Sequence, residues 1–188
     1  LATISMQSAV GAHRRRYLRF HLDEQHGSLL DILEKKFPDV NVSEFQYGKI
    51  SETVGYPIIA FEASPEKMEQ LDIDLKSSGI EYLDVTGDPD VRYRIINYNP
   101  ALFKSPVLLH VHFPERKGAL RDFMRRVSKV SNVCYFNYAY SGEAIGRAIM
   151  GFEFANENDR TEFFQLIEDT PVTCRAVDED TQKRILMY

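Results

Sequence analysis

The chain has 188 residues, of which 44% are hydrophobic and 27% charged, and its net charge is −5. That length holds one large domain or two of roughly 90 residues each, and the composition supports a packed core. The acidic balance excludes a general nucleic-acid binder, which needs surplus Lys and Arg, and no apolar run approaches the roughly 18 residues of a membrane span.

Residues 1–15 read as a linker or disordered segment. No charged stretch precedes an apolar one there, so a signal peptide is not expected, and Leu at position 1 suggests a fragment or a processed product. The basic run Arg14, Arg15 and Arg16 is short and reads as solvated linker rather than a docking patch. Leu18, Phe20 and Leu22 then alternate as a half-buried strand does. Leu29, Ile32, Leu33 and Phe37 mark a first helix, which Pro38 stops. Residues 40–49 and 58–62 predict a hairpin. Pro65 opens a second helix with Met68, Leu71 and Leu75 inward, and Gly79 ends it. Residues 81–85 close the unit. A linker comes next, in which 91–98 is apolar enough to pack against something.

The same order then returns. Val107, Leu109, Val111 and Phe113 alternate, the chain breaks at 114–118, and Leu120, Phe123, Met124, Val127 and Val130 form a helical stripe. Residues 133–140 are rich in β-branched and aromatic side chains, Ser141-Gly142 turns the chain, and 145–154 returns as the second arm of a hairpin. Phe163, Leu166 and Ile167 lie on one side of a further helix, and 172–177 is a closing strand. Asp178, Glu179 and Asp180 read as a solvated turn, and the apolar tail 185–188 as a final strand or a segment docked on the other copy.

One constant shift of 91 residues, the distance from Gly27 to Gly118, superimposes the halves. It pairs Leu18 with Leu109, His21 with His112, Val42 with Val133, Phe45 with Phe136, Tyr47 with Tyr138, Gly55 with Gly146 and Glu62 with Glu153. Each copy is therefore a βαββαβ unit, and the fold class is α+β: two tandem ferredoxin-like units, at 16–99 and 106–188, with antiparallel sheets side by side and helices on one face. Joining the two sheets, or pairing with a second chain, would cover open sheet edges.

The run Phe113-Pro114-Glu115-Arg116-Lys117-Gly118-Ala119-Leu120, followed by Asn132-Val133-Cys134-Tyr135-Phe136-Asn137-Tyr138, resembles the second ACT-like repeat of biosynthetic threonine dehydratases. Asn41-Val42-Ser43-Glu44-Phe45-Gln46-Tyr47 is similar to the family's first repeat, and Val91-Arg92-Tyr93 to its inter-repeat linker. The resemblance covers the chain from about Tyr17 onward. It implies an allosteric domain in isoleucine biosynthesis that senses isoleucine, with valine opposing. The parent would be a homo-oligomeric, pyridoxal-phosphate-dependent threonine ammonia-lyase whose catalytic domain is a separate partner. No Schiff-base lysine context or glycine-rich phosphate cup appears in this chain, so no cofactor and no catalytic residue is expected in it. The alternative is an ACT-like oligomerisation module that binds no effector.

The candidate effector residues are Gly27, Gly118, Tyr47, Tyr138 and Arg92. The two glycines precede predicted helices, where backbone N–H groups favour an anion, or they simply serve the turn. The tyrosines offer an apolar wall and one hydrogen bond, or are ordinary sheet aromatics. Arg92 could pair with a carboxylate or stand on the surface. The family has arginine after each of these tyrosines; here Gly48 and Ala139 take those places. His110 and His112 share a strand face but lack a third metal ligand nearby, so no metal is expected. Cys134 and Cys174 have no CxxC spacing and read as reduced thiols in a cytoplasmic or organelle-matrix protein.

Overall fold

A computed structural model describes residues 14–37, 40–114, 116, 118–139 and 145–188. The first copy runs β1 (Arg14–Asp23), α1 (Ser28–Asp31), β2 (Asn41–Gly48), β3 (Val54–Gly55), β4 (Ile58–Ala63), α2 (Pro65–Ser78) and β5 (Glu81–Asp84). The second runs β6 (Val107–Pro114), α3 (Ala119–Val127), β7 (Asn132–Ala139), β8 (Ile145–Glu153), α4 (Glu157–Glu168), β9 (Thr173–Ala176) and α5 (Glu179–Leu186).

All the strands join one antiparallel sheet. Its order across the molecule is β5-β1-β4-β2-β7-β8-β6-β9, with β3 continuing β4's pairing along β1 beyond Tyr56-Pro57. Pro57 cannot donate to the ladder, which accounts for the interruption. The repeat is visible in the register itself. β1 meets β4 as β6 meets β8, and a bulge falls at Ser43 in one copy and at Cys134, 91 residues on, in the other. At the centre β2 pairs with β7 so that Gln46 faces Asn137, its own counterpart. A pseudo-two-fold axis therefore passes between those two residues, and the two inner edges satisfy each other's backbone.

Strand alternation sends Leu18, Phe20, Phe45 and Ile59, and their counterparts Leu109, Val111, Phe136 and Met150, to one face. The helices α1 to α4 cover it, and a single core runs through both copies. At the seam the rings of Phe45 and Phe136 lie 4.5 Å apart. The predicted stop at Gly79 is the left-handed C-cap of α2.

Several expectations need correcting. Residues 1–13 lie outside the described residues, but the basic run is not linker: Arg14 begins β1. Arg16 bridges Asp72 and Asp84, the latter at 2.8 Å, and Arg15 reaches Glu62 at 3.2 Å. The first helix is a single α-turn that widens into a π-turn, Ile32–Lys36; the expected stop at Pro38 lies outside the described residues. So does the Ser141-Gly142 turn. The acidic run at 178–180 opens α5 instead of forming a turn. Asp178 accepts the Thr181 N–H at 2.8 Å as an N-cap, acids fill the first turn, and Lys183 and Arg184 the last. The tail is thus helical, and it docks on its own copy: Ile185 packs with Leu108 and Val177 on the sheet face opposite α1–α4. The linker covers the same face of copy 1, where Val91 joins Tyr17, Ala60 and Val85.

Candidate functional site

The pseudo-symmetry makes two equivalent places, one at each end of the β2–β7 seam. Each is built from the turn after a first strand, the start of a first helix, a tyrosine on the inner strand, a glycine on the neighbouring strand and residues from the opposite copy. Both glycines make room for an aromatic ring. A Cβ on Gly55 would lie 3.2 Å from the Tyr47 ring, and one on Gly146 would lie 3.0 Å from that of Tyr138.

Gly27 and Gly118 adopt nearly the same left-handed backbone, φ 83° and 86°, which turns each chain into its helix. The helices they open differ. Gly118 leads into a nine-residue helix with Ala119 buried at its start, whereas the α-turn after Gly27 lasts four residues. Only the former has the length to present a helix N-terminus to an anion.

The Tyr47 place is closed, with a free volume of about 10 Å³. Glu24 fills it. The Tyr47 hydroxyl donates to the Glu24 carboxylate at 2.6 Å, and Asn132 Nδ2 reaches the other oxygen at 3.4 Å. Asn132 also approaches Glu153, which holds the buried Lys49 ammonium at 2.6 Å. Burial pushes the Glu24 carboxyl above its ordinary range, with the Tyr47 and Asn132 bonds offsetting only part of the shift. Burial also drives the Tyr47 phenol far up, as does the facing carboxylate. Burial alone would lower the Lys49 pKa, but its bond to Glu153 outweighs this and holds the ammonium charged.

The Tyr138 place is an open cleft of about 410 Å³ between the copies. From copy 2 come Phe113, Arg116, Gly118, the first turn of α3, and Tyr138; from copy 1 come Leu33, Val40, Asn41, Val42 and Glu62. Arg116, which pairs with Asp122 at 2.8 Å, Arg121 and the α3 N-terminus supply cationic groups to the lining, Glu62 a carboxylate, and the aliphatic groups an apolar wall. Arg121 Nη2 donates to the Phe37 carbonyl at 3.3 Å, and Arg125 pairs with Glu34, so α3 is tied across the cleft to copy 1. Glu62, the counterpart of Glu153, turns instead to Arg15.

Of the five candidates, Gly118 and Tyr138 line the cleft and Tyr47 the closed site, whose turn Gly27 opens. Arg92 lies elsewhere, exposed on a 3₁₀ turn (Pro89–Tyr93). The cleft's copy 1 wall is absent from the sequence-derived candidates. Its signal lies in the repeat, since Asn41 and Glu62 are the partners of Asn132 and Glu153. Gly48 has a steric reason: a Cβ there would come within 2.5 Å of the Asn97 carbonyl and of Tyr98, so the linker's path leaves no room for a side chain. Cys134 is buried on β7 and Cys174 sits on β9, its thiol pushed up to about 11 by burial, with β8 and β6 between them. Among the described residues no His, Cys, Asp and Glu cluster suits a metal, and no helix is long and apolar enough to cross a membrane.

A family model described as the C-terminal regulatory domain of threonine dehydratase matches residues 6–95 and 102–186. The chain is 25% identical to a biosynthetic L-threonine dehydratase of Pasteurella multocida over its whole length, covering 37% of that protein. It is 28% identical to one of Haemophilus influenzae, over 88% of this chain and 32% of the relative. With the chloroplastic biosynthetic threonine dehydratase of Arabidopsis thaliana it shares 25% identity over its whole length and 32% of the relative. The chain thus spans about a third of the length of these relatives.

Proposed function

The chain belongs to the family of C-terminal regulatory domains of threonine dehydratases, and from that premise we propose that it senses a branched-chain amino acid in the Tyr138 cleft. The observation that carries this reading is the cleft itself: about 410 Å³ lined by the three chemistries a free amino acid requires. The α3 N-terminus with Arg116 suits the carboxylate. Glu62 and Asn41 suit the ammonium. Leu33, Val40, Val42 and the Tyr138 ring suit a branched aliphatic side chain, which favours isoleucine, with valine as the smaller competitor.

Because the cleft lies between the copies, a ligand that fills it acts on the bonds tying α3 to copy 1, Arg121 to Phe37 and Arg125 to Glu34. Any effect on a distant active site equals the difference in ligand affinity between two packings of these elements, typically about 1–3 kcal/mol. The parent, in this reading, is a homo-oligomeric threonine ammonia-lyase of isoleucine biosynthesis in the cytoplasm or an organelle matrix, and its pyridoxal phosphate belongs to a catalytic domain. Among the described residues, the buried lysine does not suit that cofactor: Lys49 is held by Glu153 and Glu52 beside no phosphate cup.

Calorimetric titration with isoleucine, valine and threonine tests the proposal. Saturable heat is expected with isoleucine and weaker binding with threonine, whose hydroxyl would be placed against the aliphatic wall. No heat with any of them at millimolar concentration would sink it. One observation favours the assembly alternative: Gly48 has no space for the arginine that the family carries there. Sedimentation separates the two readings, since an assembly module stays at one oligomeric state whether or not isoleucine is added.

A further inference from the structure

On the opposite face of the sheet, away from α1–α4 and from the cleft, copy 2 carries a second hollow of about 250 Å³. Its floor is His110 and His112 on β6, Asn137 on β7 and Arg147 on β8, and Arg94 overhangs it from the linker. Arg175 on β9 stands directly opposite His110, as Arg147 stands opposite His112. In a chain of net charge −5 this is a local concentration of cations. Among the described residues, none of Arg94, Arg175, His110 and His112 is paired with a carboxylate. Glu44, across the seam from Ala139, is engaged by Tyr17 Oη at 2.8 Å and by Arg15.

The repeat supplies an internal control. In copy 1 the counterpart of His112 is His21, opposite Glu81, whose carboxylate lies 2.8 Å from the ring; its other neighbour is Tyr56, stacked at 5.1 Å. In copy 2 Thr173 stands where Glu81 would be, and Arg147 where Tyr56 would be. Leu83 likewise gives way to Arg175. Copy 1 supplies its own anion at Glu81; in copy 2 a hydroxyl takes that place, Arg147 and Arg175 bring two guanidinium groups, and His110 stands where copy 1 has Arg19. Arg94 adds a third. It is a non-glycine residue held at φ 57°, a costly conformation kept here by the end of the 3₁₀ turn. One Nη donates to Asn137 Oδ1, while Nε is buried with no acceptor.

We infer that this hollow binds a small tetrahedral oxyanion, a phosphate group either free or carried by a small organic molecule. Donors reach it from the sheet below and from Arg94 above, so they converge from more than one plane. That suits a multiply charged tetrahedral acceptor better than a planar carboxylate, and arginine forks recognise phosphate through paired charge-assisted bonds. The site is independent of the cleft.

The test is calorimetry and amide NMR on the 188-residue chain with inorganic phosphate and with glycerol phosphate, at fixed ionic strength set by chloride. Saturable binding is expected, with shifts centred on His110, Asn137 and Arg147. Preference for the ester assigns an organic phosphate, and equal binding assigns the free anion. Arg94→Asn keeps a residue that tolerates the left-handed backbone, and it should weaken binding about tenfold or more. Arg175→Gln, on the surface, should weaken it as well, whereas His21→Gln in copy 1 should leave affinity unchanged, as should saturating isoleucine. No phosphate-dependent signal at millimolar concentration overturns the inference, and so does equal affinity in wild type, Arg94→Asn and Arg175→Gln.

Discussion

At the Tyr47 end of the seam a carboxylate of the chain itself, Glu24, occupies the space between strand turn, tyrosine and opposite copy; at the Tyr138 end the corresponding space stands open at about 410 Å³. The backbones that frame the two are alike: the same left-handed glycine, the same bulge, the same pairing register. Among the described residues, one difference is where the repeated glutamates Glu62 and Glu153 turn. Glu153 points inward to Lys49, is nearly buried, and shares Asn132 with Glu24, so a chain of charges draws the first site shut. Glu62 turns instead to Arg15 at 3.2 Å. Duplication provides two frames, and a few side chains give them different interiors.

Lys49 is the place to break this contrast. Lys49→Met leaves Glu153 buried without its cation and should cost about 3–5 kcal/mol in denaturant unfolding, because an uncompensated buried charge is worse than none. The double variant Lys49→Met with Glu153→Gln should recover much of that loss. An additive double variant would contradict the network. Next in size is Gly48→Arg, which restores the residue the family carries there. It should cost at least about 1–3 kcal/mol by overpacking against Asn97 and Tyr98, and should expose the linker to protease. Unchanged stability and cleavage would show that the linker does not hold this position.

The two tyrosines should differ in isoleucine binding. Tyr138→Ala should weaken it about tenfold by loss of apolar wall, and should also cost about 3 kcal/mol of stability or more, because the ring is buried against Phe113 and Phe136. Tyr47→Phe should leave isoleucine affinity intact while costing about 1–2 kcal/mol of stability, since Glu24 loses its short donor. The reverse pattern would assign the ligand to the other site. The smallest effect is on pH dependence. A carboxyl whose folded pKa lies above its unfolded value of about 4.3 contributes stability at low pH that is lost as pH rises through the folded value. Glu24 is such a group. Asp84 behaves oppositely: burial would raise it, but bonds from Thr86 and Arg16 overcome this and hold it low, so its contribution is lost on acidification. Unfolding measured from pH 4 to 7 should therefore show Glu24→Gln gaining on wild type as pH rises, and parallel curves would exclude a raised Glu24.

Much of this fold is legible because the sequence states it twice. The strand alternation, the helical stripes and the 91-residue shift suffice for two βαββαβ units, and the observed register carries the same shift. The failures are local. The first helix of copy 1 has the apolar spacing of an α-helix, yet its second half is a π-turn. The acids at 178–180 suggest a turn when taken alone, although Asp178 as cap, acids in the first turn and bases in the last together announce a helix over 179–186. The basic run at 14–16 resembles a linker because its partners, Glu62, Asp72 and Asp84, are distant in sequence. The same limit applies to the cleft. Tyr138 and Gly118 can be found on their own repeat, but the facing wall of Leu33, Val42 and Glu62 exists only because β2 meets β7, a pairing between copies that no local pattern encodes.

The most direct test of an amino-acid sensor in the second frame alone is an amide NMR titration of the isotope-labelled chain with isoleucine. Shifts are expected at Val42, Gly118, Leu120 and Tyr138 that saturate at one equivalent, with Gly27 and Glu24 unmoved. Shifts confined to the Glu24–Tyr47 turn, or none at millimolar isoleucine, would contradict it.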